Sequence, residues 1–223
     1  YKAGKANSTG TDNTAFGYQA LTLNSTGARN TGVGSNSLLI NVGGVNNTGL
    51  GYNSLTTNFS GSNNTALGAS ALGANFSGGS NTGVGASALN VATGSFNTGI
   101  GSNAMLFTTS GSRNIAIGYQ ALNLNVAGSQ GVAIGYLSQN NVNNTGVAWD
   151  NTNTSVGYQS LVGSGAPAAN TGLDNTAIGY ETLYPNSTGD GNAAVGFRSL
   201  YSNTTGDENA AYGYRALATN TTG

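Results

Sequence analysis

Few side chains in this sequence could do chemistry, and their placement is uneven. His and Cys are both absent, so the usual zinc, copper and thiolate sites cannot be built and no disulfide holds the chain. Of seven acids, six lie at or beyond residue 150: Asp150, Asp174, Glu181, Asp190, Asp207 and Glu208. Asp174, Asp190 and Asp207 recur at successive turns. Carboxylate and carbonyl oxygens on adjacent turns are what calcium takes, so calcium is the one cofactor to consider, and no metal site is assigned. The competing reading is a solvated acidic edge that discourages side-by-side aggregation. With no His or Cys, and no acid set apart from the repeat over the first two-thirds of the chain, the sequence predicts no enzyme.

Rings and hydroxyls offer recognition instead of catalysis. Tyr1, Tyr18, Tyr52, Tyr119, Tyr136, Tyr158, Tyr180 and Tyr214 share one position of a repeated phrase, with Phe197 as a ninth ring. Such a row could stack on sugars, or pack ring on ring between neighbouring repeats. Thr14, Thr31, Thr48, Thr65, Thr82 and Thr98 form an aligned hydroxyl row that could order water and bind ice. The row lapses at Ile115, Val132, Ala193 and Ala210, and apolar residues there imply an inward-facing position. Trp149, Asp150 and Pro167 lie in two insertions, at 147–152 and 162–167. Insertions loop outward from repeat arrays and carry function, so Trp149, Asp150, Pro167, Tyr158 and Tyr180 are the candidate ligand or partner contacts, weighed against a harmless bulge and ring packing.

The elements that must position these groups follow from the repeat. The phrase Asn-Thr-Ala/Gly-apolar-Gly-Tyr-x-Ala/Ser-Leu, followed by a turn ending in Gly, begins at Asn13, Asn30, Asn47, Asn64, Asn81, Asn97, Asn114, Gly131, Asn153, Asn175, Asn192 and Asn209. The spacing is mostly 17 residues, with two intervals of 22 at the insertions. That is too short for a helical hairpin or a propeller blade, and the apolar residues do not recur at helical spacing. The fourth position is apolar throughout: Phe16, Val33, Leu50, Leu67, Val84, Ile100, Ile117, Ile134, Val156, Ile178 and Val195, with Tyr212 in the last copy. It reads as one core ladder. The ninth position reads as a second, Leu21, Leu38, Leu55, Leu72, Leu89, Met105, Leu122, Leu161, Leu183, Leu200 and Leu217, broken only by Gln139.

Each repeat is therefore expected to be a coil of two short strands and two turns, stacked into an all-β parallel β-solenoid or β-roll of about twelve coils. Strand alternation separates Thr14 and Phe16 from Ala15 and Gly17. With the larger residues inward, the small face is left exposed and three chains are expected to pack through it. Asn at the first position suits stacked amide ladders. Sequons such as Asn24-Ser25-Thr26 are expected from turn composition alone.

Other classes are disfavoured. Six cations spread over 223 residues, at a net charge of −1, do not make a phosphate-binding surface, so nucleic acid is not an expected partner. No apolar run reaches 18 residues, so no membrane insertion is expected. The chain opens and closes in mid-repeat, which predicts that 1–223 is a single array and a segment of a longer repetitive protein.

The segments Asn114-Ile115-Ala116-Ile117-Gly118-Tyr119, Asn175-Thr176-Ala177-Ile178-Gly179-Tyr180 and Gly131-Val132-Ala133-Ile134-Gly135 resemble the head repeats of trimeric autotransporter adhesins and the related repeats of phage tail-fibre-like proteins. The resemblance implies a β-roll, a homotrimeric fibre, display at a cell or virion surface, and a host-surface glycan or protein as partner. This repeat is longer than the usual head repeat, and no stalk, neck or anchor is visible. The expected function is a structural or adhesive segment of an extracellular fibre. A self-assembling matrix filament and an ice-binding solenoid are the alternatives.

Overall fold

A computed structural model describes residues 3–223. Two compact units divide between Ser110 and Gly111, and both are built by the same rule. In the first, β1 (Thr14–Phe16), β2 (Thr31–Val33), β3 (Thr48–Leu50), β4 (Thr65–Leu67), β5 (Thr82–Val84) and β6 (Thr98–Ile100) pair in parallel and in that order. The register puts equivalent residues side by side, Thr48 against Thr65 and Leu50 against Leu67.

In the second unit the strands are β7 (Ile115–Ile117), β8 (Gly128–Ser129), β9 (Val132–Ile134), β10 (Trp149–Asp150), β11 (Thr154–Val156), β12 (Thr176–Ile178), β13 (Ala193–Val195) and β14 (Ala210–Tyr212). The main sheet runs β7, β9, β11, β12, β13, β14, all parallel. Strands β8 and β10 pair separately. One 3-10 turn at Pro167–Ala169 is the only helical element among the described residues. The protein is thus an all-β parallel β-solenoid of about twelve coils.

Each coil carries one three-residue strand instead of two strands. The rest of the phrase winds through left-handed backbone, seen at Gln19 (φ 57) and Leu21 (φ 50) and repeated at Ser70 (φ 56) and Leu72 (φ 48). A non-Gly residue in that region costs roughly 1–2 kcal/mol. Burying the leucine side chain returns roughly 1.5–3 kcal/mol, which is why leucine persists where backbone preference opposes it. Only isolated bridges join Leu23 to Ile40 and Ile40 to Thr57.

The strand faces are the reverse of the sequence expectation. The third position is inside: Ala66, Ala116, Ala133, Ser155, Ala177 and Ala194 are all at 0% exposure. The fourth position, Phe16, Val33, Leu50, Leu67, Val84, Ile100, Ile117, Ile134, Val156, Ile178 and Val195, faces out. Phe16 is 74% exposed and Leu67 43%, and the valines are half-buried. The ninth position is buried from Leu21 to Leu200, with Leu72 at 0%, whereas Leu217 is exposed. The reason is volume. A 17-residue coil leaves room for one leucine per level, and the strand opposite it can contribute only Ala, Gly or Ser. An ideal Cβ on Gly99 would already lie 3.1 Å from Leu89 Cγ.

Glycine at the fifth position has a separate cause. At Gly68 φ is +134, and an added Cβ would lie 2.6 Å from the carbonyl oxygen of Gly85 one coil on. Both the backbone angle and the close approach require glycine there.

Two buried asparagine ladders tie coil to coil. First-position Asn47 accepts from the next phrase's Asn64 N–H at 3.0 Å and donates to the Gly61 carbonyl at 2.8 Å. Turn residue Asn58 donates to that same carbonyl at 2.8 Å and to Asn41 Oδ1 at 2.6 Å. The turn carbonyl is a shared acceptor. Asn47 and Asn58 thereby satisfy their own buried amides and a buried backbone group, whereas the ladder oxygens of Asn75, Asn125 and Asn203 are buried without a partner, the first where Ala92 and the second where Val142 replaces the next Asn.

Candidate functional site

The outward face of the main sheet is the surface that the repeat builds most consistently. Its two columns are the second and fourth positions, flanking a buried third residue in nearly every strand. In the first unit the second column is Thr14, Thr31, Thr48, Thr65, Thr82 and Thr98, in register. All six are exposed or half-buried. In the second unit the same column is Ile115, Val132, Thr154, Thr176, Ala193 and Ala210, also facing out. The apolar lapses therefore do not mark an inward position. Neither column carries a charge, and beside both runs the fourth column of Leu, Ile, Val and Phe. Within each unit this is an apolar and hydroxyl surface that the other described residues leave largely uncovered.

The aromatic row is placed differently from a sugar track. Tyr119, Tyr136, Tyr158, Tyr180, Phe197 and Tyr214 stack face to face at 4.8–5.3 Å. Each internal ring has both faces covered by its neighbours, so only edges and phenol oxygens meet solvent. Desolvation, followed by the Glu181 carboxylate beside it, holds the Tyr180 phenol above its ordinary range. Glu181 accepts from Arg198 Nε at 2.6 Å, and that hydrogen bond raises the guanidinium's already high pKa further.

The insertions turn inward only in part: Trp149 and Pro167 are half-buried, whereas Asp150 faces out. Trp149 is half-buried in β10 against Gly128, with Nε1 buried. An ideal Cβ on Gly128 would lie 2.1 Å from Asn125 Oδ1 and 2.7 Å from Trp149 Nε1. At Gly27 the same two places belong to Asn24 Oδ1 and Asn41 Nδ2, at 2.4 and 2.5 Å. The indole fills the space of the turn ladder's next amide, in the coil where Val142 replaces that Asn, but it does not replace the hydrogen bond: Trp149 Nε1 and Asn125 Oδ1 are both buried without a partner. Asp150 is exposed and accepts from Gln130 Nε2 at 2.8 Å. Pro167 opens the 3-10 turn and is half-buried, followed by exposed Ala168 and Ala169.

Three residues whose roles the repeat alone does not reveal do supply hydrogen bonds where the repeat is broken. Asn151 donates to Gln139 Oε1 and accepts from Asn153 Nδ2, both at 3.0 Å. Its amide fills the space left by Gly131, whose ideal Cβ would lie 2.5 Å from Asn151 Nδ2. Gln139, buried in place of the ladder leucine, donates to the Val132 carbonyl at 2.8 Å. Asn170, buried after the second insertion, donates to the Asn141 carbonyl and accepts from Ser164 Oγ at 2.7 Å. The signal was available: the only phrase lacking its first Asn precedes an insertion that contains one.

Two of the three recurrent acids have backbone work. Asp190 Oδ1 accepts from Leu173 N–H at 2.7 Å, and Asp207 Oδ1 from Asp190 N–H at 2.8 Å. Ser62 and Ser129 hydroxyls accept at equivalent turns. Among the described residues, no three or more Asp and Glu side chains converge on a point that could hold a metal, and no helix is long and apolar enough to cross a membrane. Comparison of the chain with protein-family models, with curated proteins and with solved structures gave no match.

Proposed function

We propose that this chain is a structural segment of an elongated extracellular or virion-surface fibre, in which three copies associate through the outward columns of the main sheet. The observation that carries the reading is the exposed aliphatic fourth column. Contiguous apolar surface of this kind is a mark of an interaction site. The occupant is a second copy of this chain because only an identical array repeats at the same rung height, so that every rung meets a rung. Cyclic packing about an axis parallel to the stack keeps all chains in one direction. It lets one chain's second column meet a neighbour's fourth, a closed heterologous contact. The small third-position face, which the sequence suggested for this contact, is consumed inside each coil.

Native mass spectrometry and sedimentation velocity test the reading. A trimer is expected, and a species that stays monomeric at high concentration refutes it. The stiff array would then serve to hold a binding element away from a surface. A second reading is favoured by one specific observation, the six in-register outward threonines of the first unit. Such an array can order water in step with an ice face. Thermal hysteresis in a dilute solution of the chain decides it, and its absence removes the ice-binding reading.

A further inference from the structure

A second ring column, interrupted at Ala218, runs beside the first. Tyr184 and Tyr201 stack at 5.8 Å, and one coil on, 17 residues later, the place of the next ring is taken by Ala218. Where the third ring would lie there is a depression of about 240 Å³ lined by Arg198, Tyr201, Ser202, Arg215, Ala218 and Thr219. Its size falls just under the roughly 300 Å³ at which small-molecule pockets begin, so it suits one ring and its substituents, not a chain of rings.

The charge around this gap is unbalanced. Arg198 and Arg215 occupy the same position of successive coils, their N–H groups donating to Tyr180 and Phe197 carbonyls at 2.9 and 2.8 Å. Like charges stacked at the same position of adjacent coils repel. Glu181 neutralises Arg198 through Nε, and the Arg198 guanidinium carbon stands 5.1 Å from the Tyr201 ring centroid. Arg215 is exposed and has no ion pair among the described residues. An oxyanion placed between the two guanidiniums relieves the repulsion and takes charge-assisted hydrogen bonds from both. The Ser202 and Thr219 side chains add hydroxyls at the rim.

We propose that this gap binds a single acidic sugar residue, its ring against Tyr201 in the place of the missing third ring and its carboxylate or sulfate between Arg198 and Arg215. The site deepens the display reading by naming a ligand class, and it does not depend on how many copies associate. The test is titration of the full chain, at a mass determined beforehand, with four probes: galacturonic acid, galactose 6-sulfate, galactose and inorganic sulfate. Calorimetry and saturation-transfer NMR supply the readouts. The two charged sugars should bind in the millimolar range, at least about tenfold more tightly than galactose or inorganic sulfate. Arg215→Ala should weaken them about tenfold or more. Ala218→Tyr continues the ring column, so it should fold as the parent does and abolish sugar binding. Equal binding of galactose, equal binding of inorganic sulfate, or retained sugar binding in Ala218→Tyr would each overturn the proposal, as would no binding of either charged sugar. A monomeric mass with intact charged-sugar binding would sink the fibre reading and leave this site standing.

Discussion

Leu67→Glu separates the outward face from the core. Leu67 lies in β4 with Leu50 and Val84 at the same position of the flanking strands. It is 43% exposed in the single chain. Full burial of a leucine side chain is worth roughly 1.5–3 kcal/mol, so covering the remaining 43% contributes about 1 kcal/mol per rung. Over the six rungs of the first unit that approaches about 6 kcal/mol per chain. In an isolated chain the glutamate keeps its charge in water and should shift stability by about 0.5 kcal/mol. In an assembly it places an unpaired carboxylate from every copy at one level, at a cost of several kcal/mol each. The expected result is a coil with unchanged circular dichroism that no longer associates in sedimentation velocity. Leu72→Ala, five residues on and on the inside, is the opposite case, costing roughly 2–5 kcal/mol in denaturant unfolding whatever the mass. Association retained by Leu67→Glu, or unfolding as severe as that of Leu72→Ala, would show that the outward face has been misassigned.

Three further outcomes follow from the same geometry. Gly68→Ala forces a Cβ to 2.6 Å from the Gly85 carbonyl oxygen at φ +134, and should lower the melting temperature more than Gly165→Ala, where nothing lies within 4 Å. Gln139→Leu restores the leucine ladder yet removes the acceptor of Asn151, so unfolding measurements should find it destabilised by roughly 1–3 kcal/mol. A double-mutant cycle with Asn151→Ala should then show coupling, and simple additivity would contradict the repair role. Tyr180, held above its ordinary value of 10.0, contributes stability that is fully present below that value and declines as pH rises toward the folded-state value. Ultraviolet difference titration against Tyr180→Phe should show that phenol ionising above its ordinary value of 10.0, and ionisation at or below that value would count against its setting in the stacked column.

Much of this was legible before any coordinates. The 17-residue phrase gave the coil, Leu72 and its equivalents the interior, and the invariant fifth Gly a close backbone approach. Inside and outside on the strand were inverted, for a definite reason. Alternation sorts Thr65, Ala66 and Leu67 into two sets but does not say which set is enclosed. Hydrophobicity points to Leu67, whereas the enclosed volume decides for Ala66. The left-handed backbone at the buried leucines was not legible because local propensity opposes it. Likewise, the period alone does not show that Trp149 fills the space of one absent amide or that Asn151 replaces another, since both lie outside the repeat; for Asn151 the only hint is an Asn in the insertion after the one phrase that lacks its first Asn.

The coil at Gly131, with Gln139 inside and Asn151 reaching in from the insertion, also bears on alignment. Uniform coils are interchangeable, so chains lying side by side could slide by a whole rung and lose only one rung of contact. A ruler with identical marks has no zero. The irregular coils supply one: the two successive 22-residue intervals are the levels at which a shifted neighbour would meet a loop of different length where it expects a plain turn. In the proposed assembly this departure from the repeat would give an otherwise degenerate array an address, favouring the offset at which the irregular coils coincide.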